Sequence, residues 1–215
     1  KSTMMKIISC YLPQTEGNVE VCGFDVVENP MEVKSKVGYL PEHNPLYPDM
    51  YVREYLEFIA GVHKISNKKE RVNQMIERVG LTLERKKKIG ALSKGYRQRV
   101  GLAQAMIHDP EVLILDEPTT GLDPNQIVEI RNLIKTVGKD KTVMLSTHIM
   151  QEVEAICDRV IIINHGKIVA NDESKNLRSG ATAQVIRVEF DNAVAANLLQ
   201  GINGISEVKK VSDNM

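Results

Sequence analysis

Two adjacent carboxylates, Asp116 and Glu117, follow a short apolar run over residues 112–115 and precede Pro118. Such a run is typical of a strand buried on both faces, in the middle of a parallel sheet. In open α/β sheets, ligands bind at the carboxyl ends of such strands. Neighbouring carboxylates hinder each other's ionisation unless cations or reacting protons are close. A Mg²⁺ ion held through water by Asp116 and a water activated by Glu117 would meet that need; the alternative is a strand end with two solvated acids.

Two further stretches could bind phosphate. The chain opens with Lys1, Ser2 and Thr3 ahead of a helix-like pattern, and these residues match the end of the phosphate-binding sequence G-x-x-x-x-G-K-[ST]. Ser93 and Gly95 begin a long helix, and the unpaired backbone N–H groups at a helix start are suited to anions. Each stretch alone is a weak indication.

The elements that must position these residues alternate along the chain. Strands are predicted at residues 37–40, 112–116 and 142–146, with a further edge strand over residues 17–24. Helices are predicted to begin after Asn29, and after Asp123, where Pro124 takes the first helical position and Gln126 stands where a capping-box partner belongs. The repeated order of strand, polar end and helix predicts a doubly wound parallel sheet.

Residues 51–108 keep a helical pattern without strand-like alternation, and we expect a helical subdomain inserted into the α/β core. Its apolar face is predicted to contain Val72, Met75, Ile76 and Val79. The expected division is therefore one domain over residues 1–180, with its core at 1–50 and 109–180, followed by a small α/β appendage at 181–215.

Two smaller features complete the prediction. Residues 41–48 contain three prolines and predict a stiff loop that presents Leu46, Tyr47 and Met50. His165 and Gly166 predict a tight hairpin turn between two strands.

Composition limits the classes of function. The 215 residues include 28 Lys and Arg and 28 Asp and Glu, and a net charge of zero argues against a broad nucleic-acid footprint. The basic run over residues 85–88 is accordingly predicted to be a solvated face. Cys10, Cys22 and Cys157 lack metal-like spacing and predict reduced, buried thiols of a cytosolic protein. No apolar run approaches the roughly 18 residues that span a bilayer and no secretory signal opens the chain, so we expect any membrane role to come through a partner.

Taken together, four stretches resemble the motifs of the nucleotide-binding subunits of ATP-binding-cassette (ABC) transporters. In order they are KST at Lys1, LSKGYRQR at Leu92, LILDEPTTGLDP at Leu113 and STH at Ser146. The resemblance covers nearly the whole chain and is greatest to the ATP-binding subunits of gliding-motility and drug-exporter-like systems. It implies a P-loop NTPase (RecA-like) fold, with ATP and Mg²⁺ as cofactors and ATP hydrolysis as the reaction.

The resemblance also implies roles for individual residues. Lys1, Ser2 and Thr3 would bind the nucleotide, Lys1 by neutralising β- and γ-phosphate charge and Ser2 through a hydroxyl bond to Mg²⁺. Asp116 would hold this ion through water. Glu117 would polarise the attacking water, and His148 would contact the γ-phosphate and help to hold that water in line.

In this family the site is completed only in a dimer. Ser93, Lys94, Gly95 and Tyr96 would approach the γ-phosphate of the nucleotide bound to a second subunit, and Asp123 would lie at the dimer seam.

Three departures from the family pattern stand out. Lys94 and Tyr96 replace a glycine and the glutamine of the usual LSGGQ, although Ser93 and Gly95 keep the anion site. Glu42 stands where a glutamine usually lines Mg²⁺ and senses the transmembrane partner; a carboxylate can still be a ligand. The glycine-rich loop, the strand before it and an aromatic residue for adenine are missing, so we expect the sequence to be truncated at its start and to bind ATP weakly by itself.

The function expected from these observations is that of the ATPase subunit that drives a separate membrane permease by ATP-dependent dimer closure. Its partners would be that permease and a second ATP-binding subunit, with no nucleic acid, and it would lie on the cytoplasmic face of the cell membrane. One alternative is a soluble ABC-type ATPase acting on ribosomes or nucleic acid, although the two cassettes or long coiled coil usual there are not seen. Another is a nucleotide-gated subunit that does not hydrolyse ATP, which Glu117 and His148 disfavour.

Overall fold

The structure is a computed structural model that describes residues 1–179 together with residues 188 and 199. The chain divides into two units, Lys1–Cys157 and Asp158–Met215, each described by itself. The first unit contains, in chain order, α1 (Ser2–Ile8), β1 (Glu20–Val21), β2 (Phe24–Asp25), α2 (Pro30–Lys36), β3 (Val37–Leu40), α3 (Val52–Val62), α4 (Lys68–Arg78), a 3₁₀ turn (Ile89–Ala91), α5 (Lys94–Met106), β4 (Val112–Asp116), α6 (Pro124–Val137), β5 (Thr142–Ser146) and α7 (Met150–Ile156).

A three-stranded parallel sheet in the order β3-β4-β5 is the centre of this unit. Successive residues of β4 face opposite sides of it. Leu113 and Leu115 pack into a cluster with residues of α3 to α6, whereas Ile114 packs into a second cluster with Met5 and Val33 of α1 and α2. Helices therefore cover both faces, and the predicted α/β class with a doubly wound parallel sheet is confirmed.

Close backbone packing fixes β3 against α5. A Cβ atom added at Gly38 would overlap the carbonyl oxygen of Ala105 and come within 3.0 Å of Pro110 Cγ. Glycine is therefore required here by the close approach of strand and helix.

The regular elements of residues 51–108 are α3, α4, the 3₁₀ turn and α5. The bounds of this subdomain stay a prediction. The predicted apolar face is buried at Val72, Met75, Ile76 and Val79. Burying each such side chain contributes roughly 1.5–3 kcal/mol relative to leaving it in water, so this face anchors α4.

The prediction of one edge strand over residues 17–24 is wrong. Two strands of two residues each, β1 and β2, pair antiparallel around Cys22 and Gly23. Both turn residues have positive φ, 51° and 80°, which gives the tight reversal that divides the strand.

The proline-rich loop is only partly as predicted. Leu46 and Met50 are partly buried and pack against the core cluster. Tyr47 alone is largely exposed, at 53%, with edge contacts to the rings of Tyr55 (5.8 Å) and Phe58 (6.1 Å). Two of the three predicted side chains thus bury apolar surface against the protein's own core, which the hydrophobic effect favours.

The second unit begins with the antiparallel hairpin of β6 (Arg159–Asn164) and β7 (Lys167–Glu173), followed by α8 (Ser174–Ser179). The predicted turn at His165 and Gly166 is confirmed, with φ of 47° and 77°. Apart from residues 188 and 199, the predicted appendage over residues 181–215 lies outside the described residues.

Cys10, Cys22 and Cys157 form no disulfide within the described part of the chain, but the prediction that all three are buried is wrong. Cys22 is exposed because it lies in the turn between β1 and β2, and Cys10 and Cys157 are half-buried. Among the described residues, no helix combines the length and apolarity needed to cross a membrane.

Candidate active site

The carboxyl ends of β4 and β5 bring Asp116 and Ser146 side by side, since these residues pair in the parallel register. Asp116 is only 2% exposed. Its Oδ1 and the hydroxyl of Ser146 are both buried without a hydrogen-bond partner in the described part of the chain. Buried polar atoms nearly always have partners, so this sheet edge has unused capacity for a ligand.

Glu117 follows Asp116 in a sharp turn off the strand. Its φ is 51°, an uncommon value for a residue with a side chain, and its backbone N–H donates to the Ser146 carbonyl at 3.0 Å. Its buried carboxylate accepts from Lys1 Nζ at 2.8 Å through Oε1. Through Oε2 it lies 2.8 Å from His148 Nδ1 and 3.4 Å from the Thr120 hydroxyl. The turn and these contacts together hold the Glu117 carboxylate at the edge of the sheet.

The electrostatics of Glu117 favour its charged form. Burial acts to raise the pKa of its carboxyl group, but the hydrogen bonds from Lys1 and His148 and the charges of those groups outweigh burial and hold the pKa below its usual value. Glu117 is therefore ionised at neutral pH. An ionised carboxylate only accepts hydrogen bonds, so His148 Nδ1 is the donor in their contact.

Lys1, Ser2 and Thr3 stand at the start of α1, which packs beside β4. Besides its ion pair with Glu117, Lys1 Nζ lies 3.5 Å from the Thr147 carbonyl oxygen. Ser2 is half-buried and Thr3 is exposed. The structure thus joins the first and the last of the four predicted stretches, KST and STH, at one carboxylate.

The start of α5 forms a second group with the start of α6. Ser93 caps α5, its hydroxyl accepting from the Tyr96 N–H at 3.3 Å, and the Tyr96 ring packs partly buried against the core. A Cβ atom at Gly95 would overlap the Gln126 side chain, and one at Gly121 would overlap the Lys94 ammonium group.

Asp123 caps α6 as predicted, its Oδ1 accepting from the Gln126 N–H at 3.0 Å. In the described residues, no hydrogen bond or ion pair links Ser93, Lys94, Tyr96 or Asp123 to Glu117. The structure therefore brings the predicted residues together as two separate groups.

Glu42 lies two residues beyond the end of β3, at the same edge of the sheet as Asp116, because Leu40 pairs with Leu115. It is exposed, and no ion pair involves it within the described structure. Its predicted role as a Mg²⁺ ligand stays a prediction.

The donor set fits Mg²⁺, which takes oxygen ligands and keeps several waters. The unpartnered Asp116 Oδ1 supplies such an oxygen. Within residues 1–179, no three His, Cys, Asp or Glu side chains are grouped to hold a metal by themselves. Hydroxyl, water and phosphate oxygens would complete the shell.

Two residues at this edge were not predicted from the sequence. Thr120 contacts the Glu117 carboxylate, and Glu152 of α7 accepts from the Thr147 hydroxyl at 2.9 Å. Thr120 belongs to the quoted DEPTTG stretch, whose identity was the available signal. Nothing in the spacing of Glu152 distinguishes it from a surface acid in the first turn of a helix.

Comparison with known proteins identifies the family. The model of the ABC transporter family matches residues 1–120. The chain is 33% identical over 207 residues to the ABC transporter ATP-binding protein NatA of Bacillus subtilis, covering 94% of this chain and 82% of that protein. It is 38% identical over 174 residues to the bacitracin transport ATP-binding protein BcrA of Bacillus licheniformis, covering 79% of this chain and 56% of that one.

Solved structures agree with this relationship. CbiO1 of Clostridium perfringens, part of the ABC transporter complex cbiONQ, superposes with a TM-score of 0.73 at 25% identity, covering 83% of this chain and 74% of that one. The closer resemblance to gliding-motility subunits stays a prediction. The chain belongs to the ABC transporter family, in which it is an ATP-binding domain with the P-loop NTPase fold.

Proposed function

We propose that this domain hydrolyses ATP to drive a separate membrane permease. The observation that carries the proposal is the Glu117 carboxylate, held at 2.8 Å by both Lys1 and His148 beside the buried Asp116. A buried, ionised carboxylate between a cation and a histidine, at the carboxyl end of a central strand, is suited to accept a proton from water. The name of the relative BcrA, a bacitracin transport subunit, supports the transporter role.

In the proposed reaction each residue has one task. Lys1 leaves Glu117 to neutralise β- and γ-phosphate charge, and Glu117 then orients the attacking water and accepts its hydrogen bond. His148 holds Glu117 through Nδ1 and, when both of its ring nitrogens carry a proton, donates through Nε2 to the γ-phosphate. Thr3 assists nucleotide binding.

Mg²⁺, when bound, supplies positive charge to the phosphate oxygens. Ser2 and Asp116, with Glu42 at the same sheet edge, are the residues proposed to hold it.

We further propose that the site is completed by a second copy of the chain. Ser93, Lys94, Gly95 and Tyr96 of one copy approach the γ-phosphate on the other, with Asp123 at the seam. The distribution of charge supports this arrangement: residues 51–108 contain thirteen Lys and Arg against five Asp and Glu, and the rest of the sequence contains fifteen against twenty-three. A basic helical subdomain would thus face the acidic core of its partner.

The proposed divisions of the chain are the core at residues 1–50 and 109–180, the subdomain at 51–108 and the appendage at 181–215.

The proposal places the protein on the cytoplasmic face of the membrane, bound to the permease. The test is affinity isolation of the protein carrying Glu117→Gln from gently solubilised membranes with ATP and Mg²⁺, with mass spectrometry of its partners. A multi-span membrane protein in fixed proportion, and an ATP-dependent dimer on size analysis, are expected. Ribosomal or DNA-bound partners, or a monomer in saturating ATP, would overturn the proposal, as would an absence of phosphate release by the unsubstituted protein.

A further inference from the structure

Glu152 is a buried carboxylate outside the proposed reaction. It lies in the first turn of α7 and is 1% exposed. Its Oε2 accepts a hydrogen bond from the Thr147 hydroxyl at 2.9 Å, and its Oε1 has no partner among the described residues. A carboxylate is costly to bury with so few partners, and an apolar side chain would be the more stabilising choice for packing. Its position therefore calls for a reason other than stability.

The Thr147 hydroxyl connects Glu152 to the backbone on the far side of His148. It accepts from the Ile149 N–H at 3.0 Å and donates its single proton to Glu152. The Glu152 N–H in turn donates to the Ile149 carbonyl at 3.0 Å. The residues before and after His148 are thus both tied to Glu152.

The His148 ring lies mostly in solvent, so packing does little to fix its direction. Its side chain is 66% exposed, yet Nδ1 lies 2.8 Å from Glu117. The direction of an exposed side chain depends strongly on the backbone that carries it, and the Thr147 and Glu152 hydrogen bonds hold that backbone beside His148. The same turn places the Thr147 carbonyl 3.5 Å from Lys1 Nζ.

We propose that Glu152 is a positioning residue of the ATPase site, which fixes the Thr147 hydroxyl and so directs His148 at Glu117. The inference rests on the proposed function. For this role Glu152 needs only an acceptor oxygen within reach of Thr147, and Thr147 needs only its hydroxyl group.

Conservative and disruptive variants separate this role from a structural one. Glu152→Gln keeps an acceptor oxygen, and Thr147→Ser keeps the hydroxyl, so both are expected to retain ATP turnover within about twofold. Glu152→Ala and Thr147→Val are expected to lower kcat about tenfold while KM for ATP stays within about twofold. The matched control is Thr136→Val, whose lost hydroxyl bonds the Asn132 carbonyl in α6; it should leave kcat unchanged.

A second readout does not depend on activity. The ¹⁵N resonance of His148 Nδ1 reports its hydrogen bond with Glu117. We expect this resonance to move in Glu152→Ala and Thr147→Val and to stay in place in Glu152→Gln, Thr147→Ser and Thr136→Val.

These outcomes distinguish the two proposals. An unsubstituted protein without ATP turnover contradicts the proposed function, while the His148 resonance still decides the role of Glu152. If that resonance is unchanged in Glu152→Ala and in Thr147→Val, the positioning role is wrong. It is also wrong if Glu152→Gln loses as much kcat as Glu152→Ala, because the charge and not the acceptor would then matter.

Discussion

His148 Nδ1 donates a hydrogen bond to Glu117 Oε2 over 2.8 Å, across two neighbouring strand ends. The other oxygen of the same carboxylate faces Lys1 Nζ at the same distance. One acid thus joins three parts of the chain that are more than thirty residues apart in sequence. Its ionised state, kept by these two contacts, is the basis of the first prediction.

Glu117→Gln is expected to abolish most ATP turnover while leaving nucleotide binding intact. Glutamine keeps the shape but cannot accept a proton, and general base catalysis contributes about 10²–10⁴-fold. Phosphate release and equilibrium binding of ATP are the two measurements. Glu70→Gln is the matched control, since Glu70 is exposed and accepts a hydrogen bond from Gln74 in its own helix. Undiminished phosphate release by Glu117→Gln would contradict the role of Glu117.

A pH-dependent loss of stability is expected from His108. Burial, the stacked His63 ring at 4.0 Å and the charges of Arg71 and Lys141 lower the pKa of His108 to about 4, although its hydrogen bond to Val37 opposes them. An unfolded histidine titrates near pH 6.5, so between about pH 6.5 and 4 the unfolded state binds the extra proton. Stability is therefore complete above pH 6.5 and falls as the pH drops through this window, by up to about 3 kcal/mol.

Urea unfolding at pH 7 and pH 5 measures this effect. His108→Gln should show a smaller loss between the two pH values than the unsubstituted protein. His43→Gln, at an exposed histidine, should show the same loss as the unsubstituted protein. An equal loss in His108→Gln would assign the pH dependence to other groups.

Gly38→Ala is expected to destabilise the first unit by about 3 kcal/mol. The new methyl group would overlap the Ala105 carbonyl, a backbone atom that cannot move without displacing α5. Gly61→Ala in α3 is the control, because its Cβ would meet only the Lys68 ammonium group at 3.7 Å and alanine favours a helix. Denaturant unfolding should show a large loss for the first variant and none for the second. A tolerated Gly38→Ala would mean that β3 and α5 are less closely packed.

Asp123→Ala is expected to cost about 1 kcal/mol of stability, because Asp123 accepts from the Gln126 N–H at the start of α6. Asp123→Asn should cost less, since its amide oxygen can still accept. Asn29→Ala is the comparison, because Asn29 precedes α2 without a side-chain capping bond and should change stability little. Urea unfolding without nucleotide keeps any effect on the dimer out of the measurement.

Strands and helices could be predicted from the sequence where the periodicity of apolar residues agrees with their burial. The apolar run before Asp116 predicted β4, and Asp123 with Pro124 predicted the start of α6, because these signals are local. Prediction from the sequence failed where tertiary packing determines whether a side chain is buried. Leu46 and Met50 are as apolar as the residues of a docking surface, and only the folded structure shows that they pack partly buried against the core.

The site was predictable as a set of residue types but not as a geometry. The motifs named Lys1, Glu117 and His148 separately, whereas their convergence depends on the parallel register of β4 and β5. Glu152 could not be found at all, because its burial is set by how α7 packs.

The contact between Gly95 and Gln126 has a mechanical consequence. Because the Gln126 side-chain amide occupies the space where a Cβ atom of residue 95 would lie, the first turn of α5 can approach α6 only if this flexible side chain turns aside. A shift of the helical subdomain in that direction would therefore move the Gln126 side chain first, while the backbone N–H of the same residue keeps its hydrogen bond to Asp123. The beginning of α6 would then report the position of a neighbouring element through one side chain, without a change at its cap.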